Sequence, residues 1–314
     1  MMRADDVRRA AVIGAGIMGH SIAQVFAQAG IETSLVDVSE ETLGKATEKI
    51  AANLAVLADS GLAKREDVEG IIGRVHPSTD LADSAADADF VLEAVPEVPE
   101  IKKEVFAQLG GACHADVVIA SNTSGLDIFE FAEVANPERL VIAHWFAPPH
   151  VIPLVEVVPG PATVPETVDF TMSLMERLGK VPVRLQAFTR AFIVNKIQNM
   201  IALAVSDLLN SGTATPEDID KAVKYSLGIR LPIVGVVQTM DFTGLDLVLD
   251  IARSYGMGNA IIEEKVEKGY LGAKTSRGFY DYGGRSELEI VEKRDRLYLK
   301  MLERLREMNA FDPV

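Results

Sequence analysis

The stretch AAVIGAGIMGHSIAQVFAQAG, residues 10 to 30, decides the fold. It opens on a short β-branched run, Ala10–Ile13, turns on Gly14, Gly16 and Gly19, and continues with apolar residues at helical spacing as far as Gly30. Glycines in G-x-G-x-x-G spacing between a strand and a helix form a dinucleotide-binding βα turn. Gly14 permits the tight turn, Gly16 lets the backbone approach a pyrophosphate, and Gly19 lets the helix close on the strand. Ile17 and Met18 lie inside the loop and count with it as cofactor contacts. The first N–H groups of the helix then face the phosphates.

The second half of that fingerprint is an acidic residue at the end of the next strand. The run Thr33–Asp37 supplies it. A carboxylate at Asp37 accepts hydrogen bonds from the ribose hydroxyls of adenosine and repels a 2′-phosphate. The following Val38, Ser39 and Glu40 offer no arginine to receive one. The expected cofactor is therefore NAD, not NADP. FAD fits less well, because no second flavin-type region follows. The plain alternative is a glycine-rich turn with a capping aspartate.

Working outward, Phe90–Ala94, Val117–Ser121, Leu140–His144 and Leu154–Val158 are further strand patterns, separated by helical ones. Alternating β and α elements predict a parallel, doubly wound sheet of Rossmann type. After Asp37 the segment SEETLGKATEKIAANLAVLADSG is too long for a simple crossover helix. With REDVEGIIGRV it predicts a helical hairpin projecting from the sheet, either a surface decoration or a substrate lid. Beyond about residue 187 strand alternation stops. Helical patterns cover Thr189–Leu209, Asp246–Ser254, Asn259–Lys268 and Glu287–Met308, with a helix start at Thr215, Pro216 and Asp218. The expected division is an NAD-binding domain over 1–186 and an all-helical substrate-binding and dimerisation domain over 187–314.

The bulk numbers agree with a globular chain of 314 residues, 48% hydrophobic and 25% charged. A net charge of −15 argues against broad nucleic-acid binding and disfavours an anionic membrane surface. Cys113 is the only cysteine, which rules out an intrachain disulfide and a multi-thiolate zinc cage. The cytosol is the expected compartment, so the protein is expected to be cytoplasmic. Asp5 and Asp6 interrupt the basic start that a signal peptide needs, and no uncharged run has membrane-spanning length.

Oxidising a carbinol leaves a hydroxyl proton to be removed, which suits a neutral histidine oriented by an anion. His144 stands at the carboxyl end of a strand pattern, where open α/β sheets bind ligands. Glu156 lies on the next strand and can reach back to it. His150 sits among prolines with no evident partner. Each of these also has a structural reading, as a core histidine or a solvated strand glutamate. His144, His150 and Glu156 match no compact metal-ligand spacing, so no metal is expected. In SNTSGLDI, residues 121 to 128, Ser124 and Asp127 double as helix caps. Asn195 is polar on an apolar helix and predicts a buried packing bond or a substrate contact.

Taken in order, GAGIMG, Asp37, SNTS, HWF…PLVEV, FIVNK and GYLGAKTSRGFYDY resemble the 3-hydroxyacyl-CoA dehydrogenase family over nearly the whole chain. The resemblance implies NAD-dependent oxidation of an L-3-hydroxyacyl-CoA, such as 3-hydroxybutyryl-CoA, to the 3-ketoacyl-CoA in fatty acid metabolism. It implies His144 as base, Glu156 as its partner, and Ser124 and Asn195 as substrate contacts. It adds Glu97, Lys102 and Asn122 to the cofactor contacts, and it implies a homodimer formed through the C-terminal helices.

Two departures stand out. The family's HFFNP is here HWFAP, so Ala147 replaces an amide, and the hairpin carries Ser60 where a CoA-binding lysine is expected, with Lys64 nearby. The centre of the chain also resembles the gulonate and carnitine dehydrogenase branch. A CoA-free 3-hydroxy acid or another small alcohol or aldehyde is therefore the alternative substrate, and a non-catalytic NAD-binding protein the alternative outside enzymes. Lys196 and Asn199 mimic the K-x-x-N arrangement of β-hydroxyacid dehydrogenases, but AFIVN stands where their glycine-rich approach belongs.

Overall fold

The computed structural model describes residues 2–312. The chain divides into two compact units, Met1–Met200 and Ile201–Val314.

The first unit is built on one eight-stranded sheet in the order β3-β2-β1-β4-β5-β6-β7-β8. The strands are β1 (Arg9–Ile13), β2 (Glu32–Val36), β3 (Val75–Ser78), β4 (Phe90–Glu93), β5 (Val118–Ser121), β6 (Leu140–Trp145), β7 (Leu154–Pro159) and β8 (Val181–Arg184). The helices between them are α1 (Gly19–Gln28), α2 (Glu40–Asp59), α3 (Val68–Gly73), α4 (Leu81–Ala86), α5 (Pro99–Ala112) and α6 (Pro165–Arg177). The order reverses at β1, where β2 and β4 lie on its two sides. That reversal opens a crevice at the carboxyl ends of the strands. Successive strand residues alternate between two cores. Val12, Phe90, Ala143 and Trp145 face α1, α2 and α6, while Ala11, Ile13, Ile142 and Val158 face α5.

Three features correct the sequence expectation. β3 and β8 were not expected; both contain proline (VHPS and VPVR) and both lie at sheet edges, where a missing N–H is tolerated. The sheet is not wholly parallel, because β6 and β7 run antiparallel. The connection from Trp145 to Leu154 falls short of the dozen or so residues a parallel crossover needs. The hairpin does not stand free. Leu43, Ala46, Ile50, Leu54 and Leu57 of α2 are buried in the same core as α1, and REDVEGIIGRV folds into a 3-10 turn, α3 and the start of β3. The expected start of α2 is present: the Ser39 hydroxyl accepts from Thr42 N at 3.2 Å.

The last helix to begin in the first unit is α7 (Val194–Asn210). The second unit continues with α8 (Pro216–Tyr225), α9 (Leu227–Thr243), α10 (Leu245–Ser254), α11 (Ala260–Glu267) and α12 (Glu287–Glu307). α9 was absent from the sequence expectation. Pro232 interrupts its pattern, and Gly235 takes a left-handed φ of 66° that bends it. Asp241 on α9 is fully buried and accepts from Phe279 N (2.8 Å), Tyr280 N (3.0 Å) and the Tyr282 hydroxyl (3.0 Å). The motif GFYDY is therefore a turn clamped on one carboxylate. Among the described residues, no single helix is long and apolar enough to cross a membrane, and no group of three or more His, Cys, Asp or Glu could hold a metal ion.

Candidate active site

The glycine loop takes the shape its spacing implies. Gly14 has φ +104°, and a Cβ there would lie 2.6 Å from Ala94 O. A Cβ on Gly19 would lie 1.7 Å from Gly14 O, so helix and loop are in direct backbone contact. A Cβ on Gly16 would meet nothing within 4 Å. Gly16 therefore keeps clear a space outside the protein's own packing. Asp37 fixes the loop as well as facing its crevice: one carboxylate oxygen accepts from Ala15 N at 3.0 Å and the other from Ser39 N at 3.1 Å.

These elements border a groove of about 1100 Å³. Gly14, Gly16, Ile17, Met18, Asp37, Glu97 and Asn122 line it, together with Ser124. The groove's size, the open face of Gly16 and the carboxylate at its edge fit a dinucleotide such as NAD. Gly19 and Lys102 do not line it. Lys102 lies behind the wall, 1% exposed, and donates to Glu93 at 2.7 Å. It reaches the groove side through Glu97, at 3.3 Å, and through the Val95 carbonyl, at 3.4 Å.

Glu93 is a residue that sequence reasoning missed. Fully buried, it accepts from Lys102, Val95 N and the Ser121 hydroxyl. Its backbone carbonyl receives Asn122 N at 2.8 Å. Glu97 then accepts from the Thr123 hydroxyl (2.6 Å) and Ser124 N (2.7 Å). The SNTS segment is thus held by two glutamates that share one buried lysine. Burial alone would raise the Glu97 pKa, but the Thr123 bond, the Lys102 charge and the Ser124 N–H outweigh it and hold the carboxyl below its usual range.

His144 and Glu156 face each other in the β6–β7 register. His144 Nδ1 donates to Glu156 Oε2 at 2.9 Å, and the two residues are 4% and 1% exposed. The carboxylate can only accept, so the neutral ring carries its proton on Nδ1 and its lone pair on Nε2. Phe146 and Phe192 pack against the ring at centroid distances of 4.5 and 5.3 Å. Glu156 Oε1 accepts from Ile193 N (3.0 Å) and Val194 N (2.9 Å). These donors are presented by a turn in which Ala191 and Phe192 adopt φ of 66° and 50°. Burial alone would raise the Glu156 pKa; the bonds from His144, Val194 N and Ile193 N outweigh it and hold the carboxyl low. No side chain signals such backbone donors, so sequence reasoning could not find them.

Asn195, at the start of α7, is half-buried and donates to Ser124 O at 3.4 Å, which joins two of the expected substrate contacts. Ser124 itself is exposed. Lys196 bonds to the Thr189 hydroxyl at 2.6 Å. His150 has a partner after all, Ser21 Oγ on α1 at 2.8 Å. Ala147 is exposed and precedes Pro148 through a cis peptide bond. On the hairpin, Ser60 caps the end of α2, and Lys64 lies 4.0 Å from Glu66.

Comparison with known proteins matches this architecture. Residues 9–188 match the family model "3-hydroxyacyl-CoA dehydrogenase, NAD binding domain", and residues 192–282 match "3-hydroxyacyl-CoA dehydrogenase, C-terminal domain". The chain belongs to the 3-hydroxyacyl-CoA dehydrogenase family, and its cofactor is NAD. It is 35% identical over 286 residues to a probable 3-hydroxybutyryl-CoA dehydrogenase of Bacillus subtilis, covering 88% of this chain and 98% of that protein. It is 30% identical over 284 residues to 5-formyl-3-hydroxy-2-methylpyridine 4-carboxylate 5-dehydrogenase of Mesorhizobium japonicum, covering 88% and 91%. The crystal structure of a 3-hydroxyacyl-CoA dehydrogenase from Archaeoglobus fulgidus superposes with a TM-score of 0.79 at 29% identity, covering 95% of this chain and 99% of that one.

Proposed function

We propose that the protein oxidises the hydroxyl of an L-3-hydroxyacyl-CoA to the 3-ketoacyl-CoA. The observation that carries this reading is the buried His144–Glu156 pair at 2.9 Å, in the same unit as the dinucleotide groove. When bound, NAD supplies the hydride acceptor. His144 Nε2 takes the hydroxyl proton, and Glu156 stabilises the imidazolium that results. Ser124 and Asn195 hold the substrate oxygen, a role supported by their hydrogen-bonded contact. Asp37 receives the adenosine ribose, and Glu97 and Asn122 border the rest of the groove. Turnover of 3-hydroxybutyryl-CoA with NAD, followed as NADH absorbance, tests the reading. No turnover of any CoA ester at high enzyme concentration would end it.

A second reading has its own support. Ser60 brings no charge to the hairpin, and Lys64 already neighbours Glu66. In a chain of net charge −15 this is a weak setting for CoA phosphates, and the Mesorhizobium relative is named for a pyridine carboxylate. Free 3-hydroxybutyrate, assayed beside its CoA ester, separates the two.

The protein is also proposed to be a cytoplasmic homodimer. No residue of α7 is buried, and Ile197, Met200, Ile201 and Leu203 stay exposed on it. An apolar surface of this kind suits association. Light scattering coupled to size exclusion decides the mass in solution.

A further inference from the structure

We propose that Lys180 is a positioning residue for the substrate side of the active site: its side chain ties the β6–β7 loop to the body of the unit, and substrate binding depends on that tie. The inference rests on the dehydrogenase reading above.

Lys180 follows the end of α6 and the left-handed Gly179, and its own N–H is fixed on Met175 O at 2.9 Å. The side chain turns inward, leaving the residue 9% exposed. Its ammonium donates to the carbonyls of Pro149 and of Ile152, the latter at 3.1 Å, and lies 5.2 Å from the centroid of the Trp145 ring. None of these partners is a carboxylate. A buried lysine without an acid is costly. Here its charge is directed entirely at one loop and at the indole beside it.

That loop joins the two strands bearing the proton pair. It begins after His144–Trp145 and ends at Leu154, two residues before Glu156. Phe146, its first residue, packs edge-on against His144. A second tie runs from His150 to Ser21 on α1. Among its neighbours, His150 on the loop feels the Lys180 charge, His150 feels His20 on α1, and His20 in turn feels Lys49 on α2. Burial lowers the Lys180 pKa from 10.5 to about 8. Above that value the amine keeps N–H groups to donate but loses the charge that strengthens them. The tie therefore weakens as pH rises.

Trp145 is the only tryptophan, so its fluorescence reports this ammonium directly. The expected result is a fluorescence transition near pH 8 in the wild type that Lys180→Met lacks. In Lys180→Met the substrate KM rises about tenfold, the scale of a lost charge-assisted hydrogen bond, while kcat and NAD affinity stay unchanged. Lys180→Arg recovers most of the KM and also lacks the transition, because arginine does not titrate there. A folded Lys180→Met with wild-type KM, or a transition near pH 8 that persists in either variant, would overturn the inference. Should Lys180→Met not fold, KM followed across pH 8 decides: it is expected to rise in the wild type and not in Lys180→Arg, and equal profiles overturn the inference. Failure of the wild type to oxidise any hydroxy substrate is a different result: it removes the dehydrogenase reading, and the fluorescence comparison still decides the tie.

Discussion

Glu156 is held from both sides: His144 Nδ1 donates to one oxygen at 2.9 Å, and Ile193 N and Val194 N donate to the other at 3.0 and 2.9 Å. The group that orients the His144 imidazole is itself fixed by backbone. His144→Gln removes the proposed base and is expected to lower kcat by about 100-fold or more, with NAD affinity unchanged. Glu156→Gln keeps the shape but cannot satisfy all three donors. Its NH₂ must face either the imidazole N–H or the two backbone N–H groups. It is expected to lose rate on the same scale and also about 1–3 kcal/mol of stability. Steady-state rates and chemical denaturation check the pair. A Glu156→Gln enzyme of wild-type rate would remove the carboxylate from the mechanism.

Two glycines of the loop differ in what a side chain would meet. A Cβ at position 19 would fall 1.7 Å from Gly14 O, whereas one at position 16 meets nothing within 4 Å. Gly19→Ala is expected to destabilise the protein, because backbone must move. Gly16→Ala is expected to melt as the wild type does and to lose NAD binding by at least roughly tenfold, because its methyl occupies space kept for a pyrophosphate. Calorimetric titration of NAD against the melting temperature of each variant distinguishes the cases. Undiminished NAD affinity in Gly16→Ala would place the dinucleotide elsewhere.

The doubly wound core was legible because its signals are local. The β1 turn, the Ser39 cap and the apolar face of α2 each lie within a short window. What was hidden depended on tertiary setting. β3 and β8 carry prolines that only an edge position excuses. α9 contains Pro232 and a left-handed Gly235. Lys102 sits near the expected cofactor segment, but a sequence does not tell a lysine pointing at the groove from one buried on Glu93. The partner of His150 is Ser21, 129 residues away. The Ile193 and Val194 donors depend on non-glycine residues at positive φ, which no propensity announces.

Asp37 has two tasks, and a substitution separates them. Its oxygens accept from Ala15 N and Ser39 N while the side chain borders the groove. Asp37→Asn keeps one acceptor oxygen but loses the charge. It is expected to weaken NAD binding about tenfold, the scale of a charged hydrogen bond, without conferring NADP use, since the neighbouring Val38 and Ser39 offer no cation. KM for each dinucleotide measures this. Efficient NADP turnover by Asp37→Asn would show that repulsion by Asp37 was the sole discriminator.

Glu97 and Glu156 make a prediction about acid stability. Both carboxyls titrate below the ordinary 4.5 in the folded protein. Above that value both states are ionised, and the full stabilisation is present. As pH falls below it the unfolded chain takes up protons first, so stability is lost until the folded carboxyls protonate as well. Lys180 changes stability in the same direction with pH, for a different reason. Burial penalises its charge, so its folded value of about 8 lies below the free 10.5, and stability rises with pH between them as that cost is relieved, even though the hydrogen bonds it donates lose their charge. Denaturant midpoints measured from neutral pH downward should therefore fall more steeply below about 4.5 in the wild type than in Glu97→Gln or Glu156→Gln. The Glu156 variant should show the larger flattening, because that side chain is 1% exposed and the Glu97 side chain is 40% exposed and better screened by solvent. Equal acid slopes in all three proteins would mean that the bonds around these two carboxylates do not favour their charged forms.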